Sequence, residues 1–114
     1  MDTPLETLFG RTAARLLLYL FHNGEAYATG VANDLGIPLS AVQRQIQKLE
    51  AAGFLTSKLA GRTRLYRIEP KSPSPRKLQE FIGVFYEGMP LTEREQMFST
   101  RRRPRRSGKP VRGR

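Results

Sequence analysis

The sequence predicts a mainly helical α+β chain with one small β-hairpin. Two observations carry this. Up to Gly53, apolar residues recur at helical spacing in stretches broken by Gly and Pro. Beyond Gly53 the period shifts to two, over a pair of short runs separated by Ala60-Gly61-Arg62. A third feature stands apart: residues 99–114 hold eight Lys/Arg and no acid.

The first helix opens at Thr3-Pro4-Leu5-Glu6, an N-cap, a proline where a missing N–H costs least, and a Glu at N3. Leu5, Leu8 and Phe9 form its apolar side, and Gly10 interrupts it. Thr12 is expected to cap the next helix, which stops at Asn23-Gly24 and buries Ala13, Leu16, Leu17, Leu20 and Phe21. This is the most hydrophobic helix, and so the expected scaffold. His22, the one histidine, falls at its C-terminal end, where the helix dipole favours a cation. Ala26-Tyr27-Ala28 suits one small edge strand.

Thr29–Phe54 reads as a short helix, a tight turn and a second helix. Val31, Ala32 and Leu35 share a face, and Gly36 sits where a left-handed residue ends the helix. Pro38 enters the second helix, 39–52, in which Val42, Ile46, Leu49 and Gly53 make one stripe. Ser40, Arg44, Gln47 and Ala51 point the opposite way, with Gln43 and Lys48 on the flanks. Arg pairs with guanine edges and Gln with adenine edges in a major groove, so this face carries the groups direct readout needs.

The strand-like runs are Phe54–Leu59 and Thr63–Ile68; Lys58, Arg62, Arg64 and Arg67 make the hairpin cationic, with Glu69 at its far end. Such a hairpin suits a phosphate backbone or a minor groove. Residues 71–75 read as an extended Pro/Ser linker. In 76–86, Leu78, Phe81, Ile82 and Phe85 share one face, able to cover the scaffold helix or to form a dimer interface. Gly88-Met89-Pro90 breaks this helix, and Thr92–Glu95 resembles a capping box for a last segment, completing a C-terminal helical unit over 76–98.

In this order, LGIPLSAVQRQIQKLEAAGFL and GRTRLYRI resemble the turn, recognition helix and wing of a winged helix-turn-helix domain, nearest the ArsR-type bacterial and archaeal transcriptional regulators. The resemblance covers roughly residues 5–70. It implies a recognition helix at 39–52 in the major groove, with Ser40, Gln43, Arg44 and Gln47 facing bases and Lys48 near phosphate. It also implies a wing at 58–67 on the backbone, contacting through Lys58, Arg62 and Arg64, and terminal helices that dimerise through Leu78, Phe81, Ile82 and Phe85. The chain lacks the paired cysteines and histidine/acid clusters of the family's metal-sensing members. No metal or other cofactor is therefore expected.

Twenty Lys and Arg against ten Asp and Glu give a net charge of +10. The terminal eight cations removed, residues 1–98 carry twelve against ten, only +2. Residues 99–114 are expected to be a disordered basic arm whose Arg101, Arg102, Arg103, Arg105 and Arg106 meet phosphates. With no Cys and one His, nucleophilic and acid–base catalysis lack candidates, so an enzyme is not expected. No run approaches a membrane span of about 20 apolar residues. The expected function is a cytoplasmic, nucleoid-associated, homodimeric regulator that binds specific double-stranded DNA. The alternative is a winged-helix interaction module whose basic arm binds nucleic acid without sequence preference.

Overall fold

A computed structural model of the chain describes residues 3–98. The elements run α1 (Pro4–Phe9), α2 (Arg11–Asn23), β1 (Ala26–Tyr27), α3 (Ala28–Leu35) and α4 (Leu39–Ala51), then β2 (Leu55–Ala60), β3 (Thr63–Ile68), α5 (Pro73–Gly88) and α6 (Leu91–Phe98).

The capping box at the start of α1 is complete. Thr3 Oγ1 accepts from the Glu6 N–H at 3.2 Å, and Glu6 Oε1 accepts from the Thr3 N–H at 3.0 Å. The α1–α2 corner differs from expectation. Gly10, at φ +88°, holds the N-cap position of α2, and Thr12 lies inside the helix. Glycine takes this positive φ without the steric penalty a threonine Cβ would meet.

Helix α2 is the centre of the molecule. Leu16 and Leu17 have no exposed surface, Leu20 is 2% exposed, and Ala13, Ala14, Leu18 and Tyr19 are buried as well. Burial therefore extends beyond the single face expected from spacing, because α1, α3, α4, α5 and β3 surround the helix. Leu5 from α1, Val31 from α3, Val42 from α4 and Ile82 from α5 complete the fully buried set. Each such aliphatic side chain contributes about 1.5–3 kcal/mol on leaving water.

The sheet is antiparallel in the order β1-β3-β2. The expected edge strand forms over two residues, pairing Ala26 with Tyr66 and Tyr27 with Leu65, while Ala28 joins α3 instead. In the hairpin, Leu55 pairs with Ile68 at the buried base and Ala60 with Thr63 at the tip. Gly61 and Arg62 are the two loop residues, and only Gly61 has positive φ, at +68°. A single positive φ at the first loop position is the type II′ pattern, whose twist matches that of the strands.

The largest departures lie beyond the hairpin. Residues 73–75, expected in an extended linker, form the first turn of α5. Pro73 is at the first helical position, and the first-turn N–H groups have no acceptor within the helix, so neither proline breaks a hydrogen bond. Ser72 remains extended before Pro73, as the ring requires. Helix α6 begins at Leu91, which leaves Thr92 within its first turn instead of at its cap.

Helix α5 packs on α2 through Ile82, which is fully buried in the chain's own core. Ile82 therefore cannot be a dimer contact, as its place beside Phe81 and Phe85 had suggested. Gly83 makes the close approach possible: a Cβ there would lie 3.1 Å from the Phe21 ring. Aromatic contacts then close the C-terminal corner. His22 Nδ1 is 2.6 Å from the Tyr86 hydroxyl, and the His22 ring stacks on Phe98 at 4.2 Å and 3°. Arg94 lies 4.6 Å over the Tyr86 ring and donates from Nη2 to the Glu87 and Met89 carbonyls, both at 3.3 Å.

If Ile82 is core and Phe81 is surface, the two truncations separate in urea unfolding. With the chain dilute enough to be monomeric, Ile82→Ala is expected to cost about 2–5 kcal/mol and Phe81→Ala less than about 1 kcal/mol. Equal losses would contradict this packing.

Candidate nucleic-acid interface

The interface is built from α3, the turn, α4 and the hairpin. Gly36, at φ +66°, ends α3, and the Ile37 N–H returns to the Ala32 carbonyl at 3.0 Å. Pro38 is the N-cap of α4, one position before the expected helix entry. Its carbonyl accepts from Ala41 at 3.0 Å and Val42 at 3.2 Å, so the proline contributes an acceptor where it has no donor. Val31 and Ala32 on α3 and Val42 and Ile46 on α4 face inward and are buried.

The opposite side of α4 is open. Ser40, Gln43, Arg44, Gln47 and Lys48 are all exposed, and at about 100° per residue they share an arc of about 140°. The five residues expected to face nucleic acid thus occupy one continuous strip. Glu50 borders the strip on the Gln43 side.

Gly53 does not continue the buried stripe of α4, as its spacing suggested. It is exposed at φ +86°. The Gly53 N–H donates to the Glu50 carbonyl at 3.0 Å and the Phe54 N–H to Leu49 at 2.9 Å, the paired bonds of a Schellman turn. This turn aims β2 back along the end of the helix. The strand consequently starts at Leu55, one residue later than expected.

Pleating divides the hairpin cations between two faces. Cross-strand partners share a face, so Ser57, Tyr66, Leu59 and Arg64 lie on the side of buried Leu55 and Ile68. Lys58, Thr56 and Arg67 lie on the other side, and Arg62 occupies the loop. Lys58, Arg62, Arg64 and Arg67 are all exposed. Arg64 is held: its Nη1 donates to Ser57 Oγ at 3.1 Å, and that hydroxyl donates to Glu50 Oε2 at 3.2 Å.

Charge is concentrated here. Residues 39–69 carry six Lys/Arg against two Glu, whereas the remainder of 1–98 carries six against eight acids. The small +2 total over residues 1–98 thus conceals a basic surface of +4 against a remainder of −2.

The other anticipated positions divide. Leu78 and Phe85 are half-buried against the core, while Phe81 is 39% and Val84 67% exposed. Arg101, Arg102, Arg103, Arg105 and Arg106 lie outside the described residues. The Tyr19–Asp34 hydrogen bond, which ties α2 to α3, was not anticipated; nor was the His22–Tyr86–Phe98 cluster. Pairings across such sequence separations leave no local pattern. A cavity of about 620 Å³ lies between α1, α2, α5 and α6, lined by Leu5, Arg11, Arg15, Val84, Met89 and Met97 among others. Among the described residues, no group of three or more acids and histidines could hold a metal ion, and no helix is long and apolar enough to cross a membrane.

Residues 11–58 match the family model described as a helix-turn-helix domain. Solved structures are similar too, among them the following three. An apo mutant of Lactococcus lactis ZitR is 20% identical with a TM-score of 0.59, over 80% of this chain and 67% of its own. The antimony-specific transcriptional repressor AntR is 27% identical with a TM-score of 0.54, over 81% of this chain and 78% of its own. The MarR family transcriptional regulator SPO1453 from Silicibacter pomeroyi DSS-3 is 21% identical with a TM-score of 0.56, over 85% and 71%. No curated protein sequence matches the chain.

The turn after α4 gives a direct check on hairpin placement. A Cβ at Gly53 would meet nothing within 4 Å, so only its left-handed backbone resists substitution. Gly53→Ala is expected to cost about 1–2 kcal/mol in chemical unfolding, and Gly53→Asn less. Asn equal to or worse than Ala would contradict the assigned turn.

Proposed function

We propose that this winged helix-turn-helix chain, which has the fold of ArsR- and MarR-type transcriptional regulators, is itself a regulator that binds specific double-stranded DNA as a homodimer. The observation that carries this is the exposed strip Ser40, Gln43, Arg44, Gln47 and Lys48, set beside a cationic hairpin in the one strongly basic part of residues 1–98. The similarity to AntR, described as a transcriptional repressor, supports the same reading.

Helix α4, about 10–12 Å across with its side chains, fits a major groove about 12 Å wide. Arg44 reads a guanine edge, Gln43 and Gln47 read adenine edges, and Ser40 contacts a base near the helix start. Lys48, Lys58 and Arg62 meet phosphates. The basic residues 99–114 add sequence-independent attraction, each phosphate contact steepening the log–log salt dependence by about 0.9. Dimerisation uses the exposed apolar side of the C-terminal helices, Phe81, Val84 and Leu91, with half-buried Leu78 and Phe85 at its edge. Two recognition helices then stand about 34 Å apart, one turn of DNA, and the preferred site is an inverted repeat.

Selection from random duplexes by the full chain, at about 150 mM salt to suppress nonspecific binding, is expected to recover such a repeat. Recovery of no consensus would overturn the sequence-specific reading. On the selected site, Arg44→Ala is expected to cost about 1–3 kcal/mol and to relax one base-pair position per half-site. Equal weakening on specific and random duplexes would remove Arg44 from base reading.

The dimer is tested separately by sedimentation. Val84→Glu is expected to give a monomer with unchanged helical circular dichroism, since Val84 is 67% exposed and supports no core contact. A variant that sediments like the parent chain would place the interface elsewhere.

A further inference from the structure

Glu50 is the one acid between residues 35 and 68, in the middle of the basic surface. It lies in the last turn of α4, where the free carbonyl ends disfavour negative charge, and beside a strip that would enter a groove walled by phosphates. A carboxylate in that position repels both the helix end and the DNA unless a nearby cation offsets its charge. It is engaged with Ser57, whose hydroxyl donates to Glu50 Oε2 at 3.2 Å and accepts from Arg64 Nη1 at 3.1 Å. That hydroxyl has one proton to give, and Glu50 takes it, so a lone pair is left facing the guanidinium.

Given the DNA-binding reading above, we propose that Arg64 is a positioning residue, coupled through Ser57 to Glu50 so that the hairpin is held at a set height over the end of the recognition helix. Lys58 and Arg62 are then the wing's phosphate contacts. Three observations separate Arg64 from them. Arg64 shares the sheet face of Ser57 and the buried base pair Leu55–Ile68, whereas Lys58 lies on the opposite face and Arg62 in the loop. Arg64 is hydrogen-bonded within the chain. Its charge also faces Glu50 across one hydroxyl, so the two side chains together add little net attraction for phosphate. The bridge spans the Gly53 turn, the one covalent connection between α4 and the hairpin, and so restrains rotation about that corner.

The test compares the full chain with Arg62→Ala, Arg64→Ala, Ser57→Ala and Ser57→Thr, measuring affinity for a duplex across a range of salt concentrations. Arg62→Ala is expected to flatten the log–log slope by about 0.9. Arg64→Ala and Ser57→Ala are each expected to weaken binding about two- to tenfold with the slope unchanged, and Ser57→Thr, which keeps the hydroxyl, to restore it. A slope flattened by Arg64→Ala as much as by Arg62→Ala would overturn the assignment. So would a Ser57→Ala variant that binds like the parent chain.

A second readout needs no DNA. In NMR spectra of the free full chain, the Arg64 side-chain N–H and Glu50 carboxyl carbon signals are expected to move together in Ser57→Ala and to return in Ser57→Thr. Signals that stay in place would overturn the coupling whatever the binding data show. If the parent chain binds no duplex, the DNA-binding reading fails on its own, and the NMR comparison still decides whether Glu50, Ser57 and Arg64 are joined.

Discussion

Everything in the fold leans on the burial of α2. A thirteen-residue helix with Leu16 and Leu17 at zero exposure and Leu20 at 2% has almost no side left for water. Its neighbours are therefore fixed in place: α3 and α4 by Val31 and Val42, and α5 by Ile82. The outward strip on α4 is a consequence of this arrangement. Once Val42 and Ile46 are committed to the core, helical geometry leaves Ser40, Gln43, Arg44, Gln47 and Lys48 pointing away from it. The strip's precision comes from the scaffold behind it, which holds one rigid element at a defined angle.

The hairpin is positioned by a different device. Its strands follow α4 through a single left-handed glycine, and its base is buried through Leu55 and Ile68. Hydrophobic burial anchors the base and extends as far as half-buried Tyr66, and the tip projects into solvent with Leu59 at 64% exposure. A polar bridge from Glu50 through Ser57 to Arg64 supplies restraint where burial ends. This division, apolar at the base and polar further out, lets a cationic tip reach beyond the body of the protein while remaining in register with the helix.

Much of this was legible in the sequence because it is local. The capping box at Thr3 and Glu6, the left-handed Gly36, the inward Val42 and Ile46 and the period-two runs on either side of Gly61 all rest on neighbours within one turn or one strand pair. The failures are equally physical. Pro73 and Pro75 looked like a linker because proline usually ends helices, yet in the first turn neither breaks a hydrogen bond. Ile82 looked like an interface residue because its helix is apolar on a broad face, and only tertiary packing decides which part of that face is covered. The links from His22 to Tyr86 and from Tyr19 to Asp34 join residues far apart in the chain. The near-neutral total over residues 1–98 keeps open the alternative of an accessory module with a nucleic-acid-binding arm. The concentration of six cations against two acids in residues 39–69 weighs instead for a folded surface that binds DNA.

The central claim is that the folded helix–hairpin surface, and not the basic terminus alone, engages DNA. The most direct measurement is amide hydrogen exchange of the full chain with and without a bound duplex. Protection gained over residues 40–48 and 58–62, together with any gained beyond residue 98, is the result this account predicts. Protection confined to residues 99–114, with α4 and the hairpin exchanging as in the free protein, would contradict it.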